Sequence, residues 1–157
     1  MKIALLLLAL ILAGGLAYLR LAPSAPARWH VLPPDAGTPE GSVIAPPGTD
    51  PVQDSPGGAR ASLTLPDVSP DAALARLDAI ALSTPRTTRL AGRPEEGMIT
   101  WITRSAVFGF PDYTTAHAVR TGSGVDLILH ARQRFGQKDL GVNAARLRDW
   151  ITRLTDG

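Results

Sequence analysis

The chain has 157 residues, 45% of them hydrophobic, and a formal net charge of +2 at pH 7. This length allows one domain plus appendages. Its basic residues are almost all arginines, spread out and with few aromatics, whereas nucleic-acid domains cluster Lys and Arg with aromatics that stack on bases. The composition therefore argues against nucleic acid as a partner, and the absence of cysteine fits any redox compartment.

The first 22 residues begin with an apolar segment. After Lys2, residues 3–19 (IALLLLALILAGGLAYL) contain no charge. Extended to Ala22, with Arg20 placing its charge among the headgroups, the segment matches the ~30 Å hydrocarbon core of a bilayer. The best cleavage motif, residues 25–27 (APA), contains proline and lies well past the apolar run. The pattern predicts an uncleaved membrane anchor over residues 1–22, with a cleaved signal as the alternative.

The charges flanking this segment bear on its orientation. Lys2 and the N-terminal amine favour an N-terminus inside, whereas Arg20 and Arg28 oppose it from the other flank. Because a signal-like start usually directs export of the downstream chain, we predict a single-pass protein of the bacterial inner membrane with its body in the periplasm. Secretion to the periplasm after cleavage is the alternative. The expected partners are the membrane, through the helix, and an unknown envelope protein or small ligand.

Residues 23–58 are rich in proline and glycine and show neither a helical nor a strand period. Such a segment buries too little apolar surface to offset the entropy of ordering. It is therefore predicted to be an extended linker, with the domain beginning at Ala59 and continuing to Gly157. The apolar exceptions either dock on the domain, which we favour, or, for Trp29, sit in the membrane interface. These exceptions are Trp29, Val31, Leu32, Val43 and Ile44.

The body contains alternating and helical patterns in the order β-α-β-β-β-β-α. Residues 61–66 (ASLTLP) alternate as a strand does, and Ser69, Pro70 and Asp71 are typical of a helix start before an apolar stripe that stops at Pro85. Four strand-like segments come next, at 87–92, 98–107, 113–120 and 125–135, and then an amphipathic helix over 143–154.

The short links between these strands require antiparallel pairing. We therefore predict an α+β fold, with a curved antiparallel sheet of about five strands and two helices on one face. The other face is predicted to carry the polar strand positions. These are Arg104, His117, His130, Arg132 and Arg134.

Two segments resemble a bacterial family known as domain of unknown function 1499. They are residues 103–115 (TRSAVFGFPDYTT) and 132–147 (RQRFGQKDLGVNAARL). This resemblance, over residues 69–154, implies a fold and an address but no activity. The chain differs at His130, where an arginine is common in the family. The signature positions are Phe108, Gly109, Phe110, Asp112, Arg134, Phe135, Gly136, Asp139, Gly141, Asn143 and Arg146.

The segment RQRFGQKDLGVN, residues 132–143, has two interpretations. As a strand-to-helix joint, Gly136 allows the turn, Asp139 or Asn143 caps the helix and Arg146 pairs back to Asp139. As an anion site, free N–H groups at the helix start act together with cationic side chains. A carboxylate at the cap would occupy those N–H groups, which favours the joint. The residues of the alternative ligand site are Arg104, His130, Arg132, Arg134 and Lys138.

A catalytic interpretation has less support. There is no cysteine nucleophile, and no serine lies in a G-x-S-x-G context. His117 and His130 with Asp112 or Asp126 form the remaining candidate for acid–base chemistry, and no motif with metal-ligand spacing occurs. Asp112 after FGFP is expected to fix a turn. We therefore expect no cofactor, no metal and a non-enzymatic envelope domain that binds a partner or assembles at the membrane, with an anion or lipid binder and an enzyme as alternatives.

Overall fold

A computed structural model describes residues 2–34, 36, 44–46, 48–136 and 138–156. The strands form one antiparallel sheet in the order β1-β2-β6-β5-β4-β3. A single 3₁₀ turn, Pro94–Glu96, links β3 to β4. The helices are α1 (Lys2–Leu21), the single turn α2 (Pro26–Trp29), α3 (Pro70–Ser83) and α4 (Val142–Thr155). The strands are β1 (Val52–Ser55), β2 (Gly58–Pro66), β3 (Thr87–Arg93), β4 (Met98–Arg104), β5 (Pro111–Thr121) and β6 (Gly124–Gln133).

The start and the end of α3 are explained by its sequence. Ser69 Oγ accepts a hydrogen bond from the backbone N–H of Ala72 at 3.3 Å, and Pro70 occupies the first helical position. Because Pro85 cannot continue a helix, α3 ends at Ser83. The predicted cap and end of this helix are confirmed.

The main core lies between the sheet and the two long helices. Every second residue of the central strands points to this side, and the apolar stripes of α3 and α4 cover it. The ring of Trp101 on β4 meets the ring of Trp150 on α4 edge-on, with centroids 5.5 Å apart. The indole N–H of Trp101 donates to Asp78 Oδ1 at 2.8 Å, and Arg89 pairs with the same carboxylate. The buried carboxylate of Asp78 therefore has Trp101 and Arg89 as hydrogen-bond donors.

The predicted α+β fold is confirmed, with six strands rather than about five. The additional strand, β1, pairs with β2 and places Val52 opposite Ala61. The predicted domain start at Ala59 is therefore too late in the chain. Sheet hydrogen bonds are made by the backbone, so a short strand can form within a Pro/Gly-rich composition. The structure also explains why residue 58 is a glycine, because a Cβ there would lie 2.0 Å from the carbonyl oxygen of Ala131.

Helix α1 is long and apolar enough to cross a membrane, although a signal sequence near the N-terminus meets the same criterion. None of its residues from Lys2 to Leu21 is buried against the body. Its apolar side chains are therefore available to lipid.

Candidate functional site

The face of the sheet opposite the helices is crossed by residues 22–34, which we call the strap. The ring of Trp29 in the strap stacks on the ring of Tyr113 from β5, with centroids 3.8 Å apart and planes 7° from parallel. Ile102 and Leu90 complete a second, small apolar cluster around these rings. The predicted docking of Trp29 on the domain is confirmed. Of the other apolar exceptions, Val31 and Leu32 are exposed, so their predicted docking is wrong; Ile44 is half-buried, and Val43 lies outside the described residues.

Arg132 holds the strap by its backbone. Its guanidinium donates from Nη2 to the carbonyl oxygen of Trp29 at 2.7 Å and to Thr115 Oγ1 at 3.1 Å. The same guanidinium lies 5.7 Å from the centre of the Trp29 ring. Burial lowers the pKa of Arg132. The surroundings of the Arg132 guanidinium are therefore neutral acceptors and an aromatic ring. In an anion site, a bound anion would supply negative charge at this place.

Arg134 holds the strap where it leaves α1. Its Nη1 donates to the carbonyl oxygen of Pro23 at 2.9 Å and makes longer contacts with Ala22 O and the Tyr113 hydroxyl. Ser24 Oγ also lies 2.7 Å from that hydroxyl. The prediction of an extended linker is therefore wrong for the strap, because arginines from β6 and the end of that strand satisfy its carbonyl groups.

Further along the strap, His30 contacts the middle of the sheet. Its Nδ1 lies 2.9 Å from Thr100 Oγ1, and Thr100 in turn lies 2.9 Å from Thr115 Oγ1. The strap also passes close to β3, because a Cβ at Gly92 would lie 2.8 Å from His30 Cε1. Thr100 and Thr115, in the centre of this face, are thus hydrogen-bonded to the strap and to each other.

The loop between β4 and β5, residues 105–110, closes one end of the sheet. Arg104 Nη1 donates to the carbonyl oxygen of Gly109 at 3.0 Å. Gly109 has a positive φ of 71°, which a side chain disfavours. The ring of Phe110 stacks on Phe108 and lies 6.0 Å from Phe135. The two family-like segments of the sequence therefore meet at this end.

The connection from β6 to α4 has the geometry of a capped joint. Asp139 accepts hydrogen bonds from the backbone N–H groups of Gly141, at 3.2 Å, and Asn143, at 3.0 Å. Gly136 and Gly141 both have positive φ, 98° and 78°. The N-cap position of α4 is Gly141, and Asp139, two residues earlier, supplies the carboxylate that caps the helix, while Asn143 lies inside the first turn. At this helix start the Gly141 and Asn143 N–H groups are occupied by the Asp139 carboxylate, and the Val142 N–H by the Asp139 carbonyl oxygen.

Arg146 corrects two expectations. It does not pair back to Asp139 as predicted, but donates to Asn143 Oδ1 at 2.7 Å and to Asp112 Oδ2 at 3.1 Å. The second correction concerns Asp112. Its side chain was expected to fix a turn, but it forms an ion pair with Arg146. Burial raises the pKa of Asp112, and Arg146 partly opposes that rise. The reason lies in topology, since α4 returns over the start of β5 and brings distant residues together.

The histidines of the catalytic alternative lie on neighbouring strands of the strap-covered face. His117 is opposite Ile128, and His130 is opposite Thr115. Burial lowers the pKa of His117. Of the two candidate carboxylates, Asp112 pairs with Arg146, and Asp126 accepts a hydrogen bond from Thr64 at 2.7 Å. Within the described ranges, no three His, Cys, Asp or Glu side chains are placed to hold a metal ion.

The predicted ligand residues do not form one site. Arg132 and Arg134 bind the strap, Arg104 holds the β4–β5 loop, and Lys138 is exposed beside a groove of about 440 Å³ that Asp54 also lines. Sequence reasoning missed Tyr113 and Thr115 as strap contacts. The signal available in the sequence was the alternation of β5, which places Tyr113 and Thr115 on the same face of the sheet as Arg132.

A family model described as a protein of unknown function (DUF1499) matches residues 33–154, well over half of the chain. The chain belongs to the DUF1499 family. This confirms the resemblance carried by the two segments that meet at the end of the sheet. Neither a curated protein nor a solved structure matches the chain. The DUF1499 match begins near the end of the strap, so that α1 and strap residues 22–32 precede it.

Proposed function

We propose that this DUF1499 protein is a membrane-anchored domain of the bacterial envelope. In this proposal α1 stays in the inner membrane, the body lies in the periplasm, and the body works as a non-enzymatic binding or assembly module. The address is inferred from the apolar α1 at the N-terminus and from the export that such a start usually directs.

The observation that carries the proposal is the direct docking of the strap after α1. The helix ends at Leu21, and the carbonyl groups of the next two residues already accept hydrogen bonds from Arg134. Cleavage at the best candidate motif, residues 25–27, would remove Ala22 and Pro23 and with them the carbonyl groups that Arg134 binds. The docked strap instead supports a body held in a fixed relation to its anchor.

The contacts of the strap-covered face favour this role over the alternatives. A small anionic ligand on Arg132 and Arg134 would have to displace the strap from both guanidinium groups. An enzyme using His117 or His130 would need a carboxylate to orient the base, and both candidates are bonded elsewhere. Binding or assembly through another surface requires neither displacement nor rearrangement.

The proposal is tested by the mass and topology of the protein made in bacteria. The sequence contains no cysteine, so that a single Ser123→Cys at the exposed β5–β6 turn gives one thiol to label. We expect a protein that retains residues 1–22 and requires detergent for extraction. Its thiol should react with a membrane-impermeant maleimide in intact spheroplasts. The cysteine-free parent protein is the control; a mature N-terminus beyond Ala22, or labelling only after lysis, would contradict the proposal.

A further inference from the structure

Three separate segments meet at one end of the body. The end of α1 is there, because a Cβ at Gly109 would lie 3.2 Å from Arg20 Cγ. The β4–β5 loop is there through Gly109 itself. The β6–α4 connection is there through Phe135, whose ring lies 6.0 Å from that of Phe110. The point where the chain leaves α1 is therefore the point where these two loops project.

The two loops expose large apolar side chains. Val107 is 76% exposed, Phe108 50%, Leu140 90% and Val142 54%. Single exposed apolar residues are ordinary on protein surfaces, but a group of them at one end marks an interaction site. The β4–β5 loop is next to the exit of α1, and Leu140 lines a groove with the β1–β2 turn at the same end of the sheet. The position of this end therefore selects the bilayer as the occupant.

Leu140 also has an unfavourable backbone. Its φ of 55° lies in the left-handed region, which a bulky side chain rarely adopts. The structure thus holds an almost fully exposed leucine in a strained conformation, and such strain is concentrated at functional positions. Nothing in the joint requires leucine there, because the capping contacts are made by Asp139 and its backbone partners.

The length of α1 sets the depth of this end. A helix of 20 residues spans ~30 Å, which equals the hydrocarbon core, so that Arg20 in its last turn lies at headgroup level. The Arg20 side chain passes beside Gly109. The β4–β5 loop must therefore lie within one side-chain length of the headgroups. Phe108 and Val107 project from that loop, where aromatic and aliphatic side chains partition into the interface.

The charges at this end suit a bilayer that contains anionic lipid. Arg104 and Arg134 are hydrogen-bonded beside the loops, Arg20 passes beside Gly109, and Lys138 is exposed two residues before Leu140. A cation near an anionic membrane surface is attracted to the lipid headgroups. Apolar side chains flanked by cations are the pattern that interfacial membrane segments use.

We propose that residues 105–110 and 138–142 form a second membrane contact. In this arrangement Val107, Phe108 and Leu140 enter the interface of the bilayer that α1 spans, and Lys138 faces anionic headgroups. The inference rests on the proposed anchoring by α1. It adds that the body stands on the bilayer in one orientation, with the β5–β6 turn at the far end.

The test uses the full chain in vesicles of phosphatidylcholine and phosphatidylglycerol in equal amounts. Single cysteines replace Phe108, Leu140, Ser123 or Leu10, and each carries an environment-sensitive fluorophore. Lipids with a spin label near the headgroup quench shallow probes, and lipids labelled deep in the acyl chain quench buried ones. Thermal unfolding of each labelled variant shows that its body is folded. Ser123 is the matched control, because β5 places its turn about 35 Å from the loops at ~3.3 Å per residue.

We expect shallow spin labels to remove most of the fluorescence at positions 108 and 140 and little of it at position 123. Deep labels should quench position 10. In vesicles of phosphatidylcholine alone, quenching at 140 should weaken, and Lys138→Gln should remove that dependence on anionic lipid. The shallow quenching at positions 108 and 140 and its dependence on anionic lipid would together support the proposal.

Four other outcomes would overturn it. Quenching at position 10 without quenching at 108 and 140 leaves the anchor in place but removes the second contact. Probes at 108 and 140 that are shielded from water but not quenched by lipid assign the loops to a protein partner or a second copy. Equal quenching at 123 and 108 shows that the orientation is not fixed. Absence of quenching at position 10 as well would reject the anchoring on which the inference rests.

Discussion

The two faces of the sheet each bury a tryptophan, and they do so in different ways. Trp101 lies in a core of more than twenty buried residues, with Trp150 and the carboxylate of Asp78 as specific neighbours. Trp29 lies in a cluster of three buried residues, stacked on Tyr113. The helix-covered face is thus closed by a large apolar volume, whereas the strap-covered face is closed by one aromatic stack and hydrogen bonds to backbone carbonyls.

This difference separates global from local stability. Elements that bury many apolar contacts unfold with the whole domain, and elements with few such contacts can open by themselves. Each hydrogen bond of the strap contributes ~0.5–1.5 kcal/mol, or more where the donor is charged, and it is exchanged for water when the strap opens. We therefore expect the strap to be the less stable of the two coverings and the body to stay folded when it detaches.

The largest expected effect is that of Trp101→Ala. Removing a fully buried aromatic side chain leaves a cavity and deprives Asp78 of one donor, and such changes cost ~3–5 kcal/mol. The free energy of unfolding, measured by urea denaturation of the full chain in detergent, should fall by this amount. A loss below ~1 kcal/mol would mean that the helix-covered core does not depend on this side chain.

The second effect concerns the polar contact at the edge of the helix-covered side. Arg146→Met should cost ~3 kcal/mol at pH 7, because it leaves the largely buried carboxylate of Asp112 without its cationic partner. Burial already raises the pKa of Asp112, and the variant raises it further. A raised folded-state pKa favours stability at low pH and loses that contribution as pH rises through it. The difference from wild type should therefore shrink from pH 7 towards pH 4.

Addition of Asp112→Asn to Arg146→Met provides the control. The double variant has no carboxylate at this place, so it should recover part of the lost stability at pH 7, and its own free energy of unfolding should lack the change between pH 7 and pH 4 that Asp112 causes in Arg146→Met. A deficit of Arg146→Met that is the same at both pH values would contradict the role of Asp112.

Trp29→Ala is expected to have the smallest effect on the free energy of unfolding. Its effect on the opening of the strap should nevertheless be clear. Loss of the stack on Tyr113 should weaken the closed strap by about 1.4 kcal/mol, and trypsin should then cleave after Arg28 about tenfold faster. The free energy of unfolding of the body should change by less than that of Trp101→Ala. The matched variant Arg132→Met should also speed cleavage. Unchanged cleavage in both variants would show that these contacts do not hold the strap.

The sequence predicted those parts of the fold that rest on local patterns. The alternation of residues 125–131 put Leu127 and Leu129 on the core side, and the Ser69 cap marked the start of α3. The cap at Asp139 was one of two alternatives, and the geometry selected it. Each of these features depends on neighbours along the chain, which is why periodicity and capping chemistry revealed them.

The parts that depend on distant contacts were not predicted. The arginines bind the strap through the backbone carbonyl groups of Ala22, Pro23 and Trp29. Because every residue has a carbonyl group, these contacts cannot be read from the amino-acid sequence. The pairing of Arg146 with Asp112 joins residues 34 positions apart. Strand β1 was hidden by a composition typical of linkers. Of the three strap residues that the sequence indicated as docking, Trp29, Val31 and Leu32, only Trp29 is buried.

The absence of slack between α1 and the strap limits how far the body can travel. A free linker over residues 23–58 would have a root-mean-square length of ~30–36 Å and would let the body search a wide hemisphere above its anchor. With the strap bound at Ala22 and Pro23, that search radius shrinks to almost nothing. In the proposed anchored state, an interaction partner must diffuse in the membrane plane or approach its surface, and each encounter then begins with the same side of the body presented.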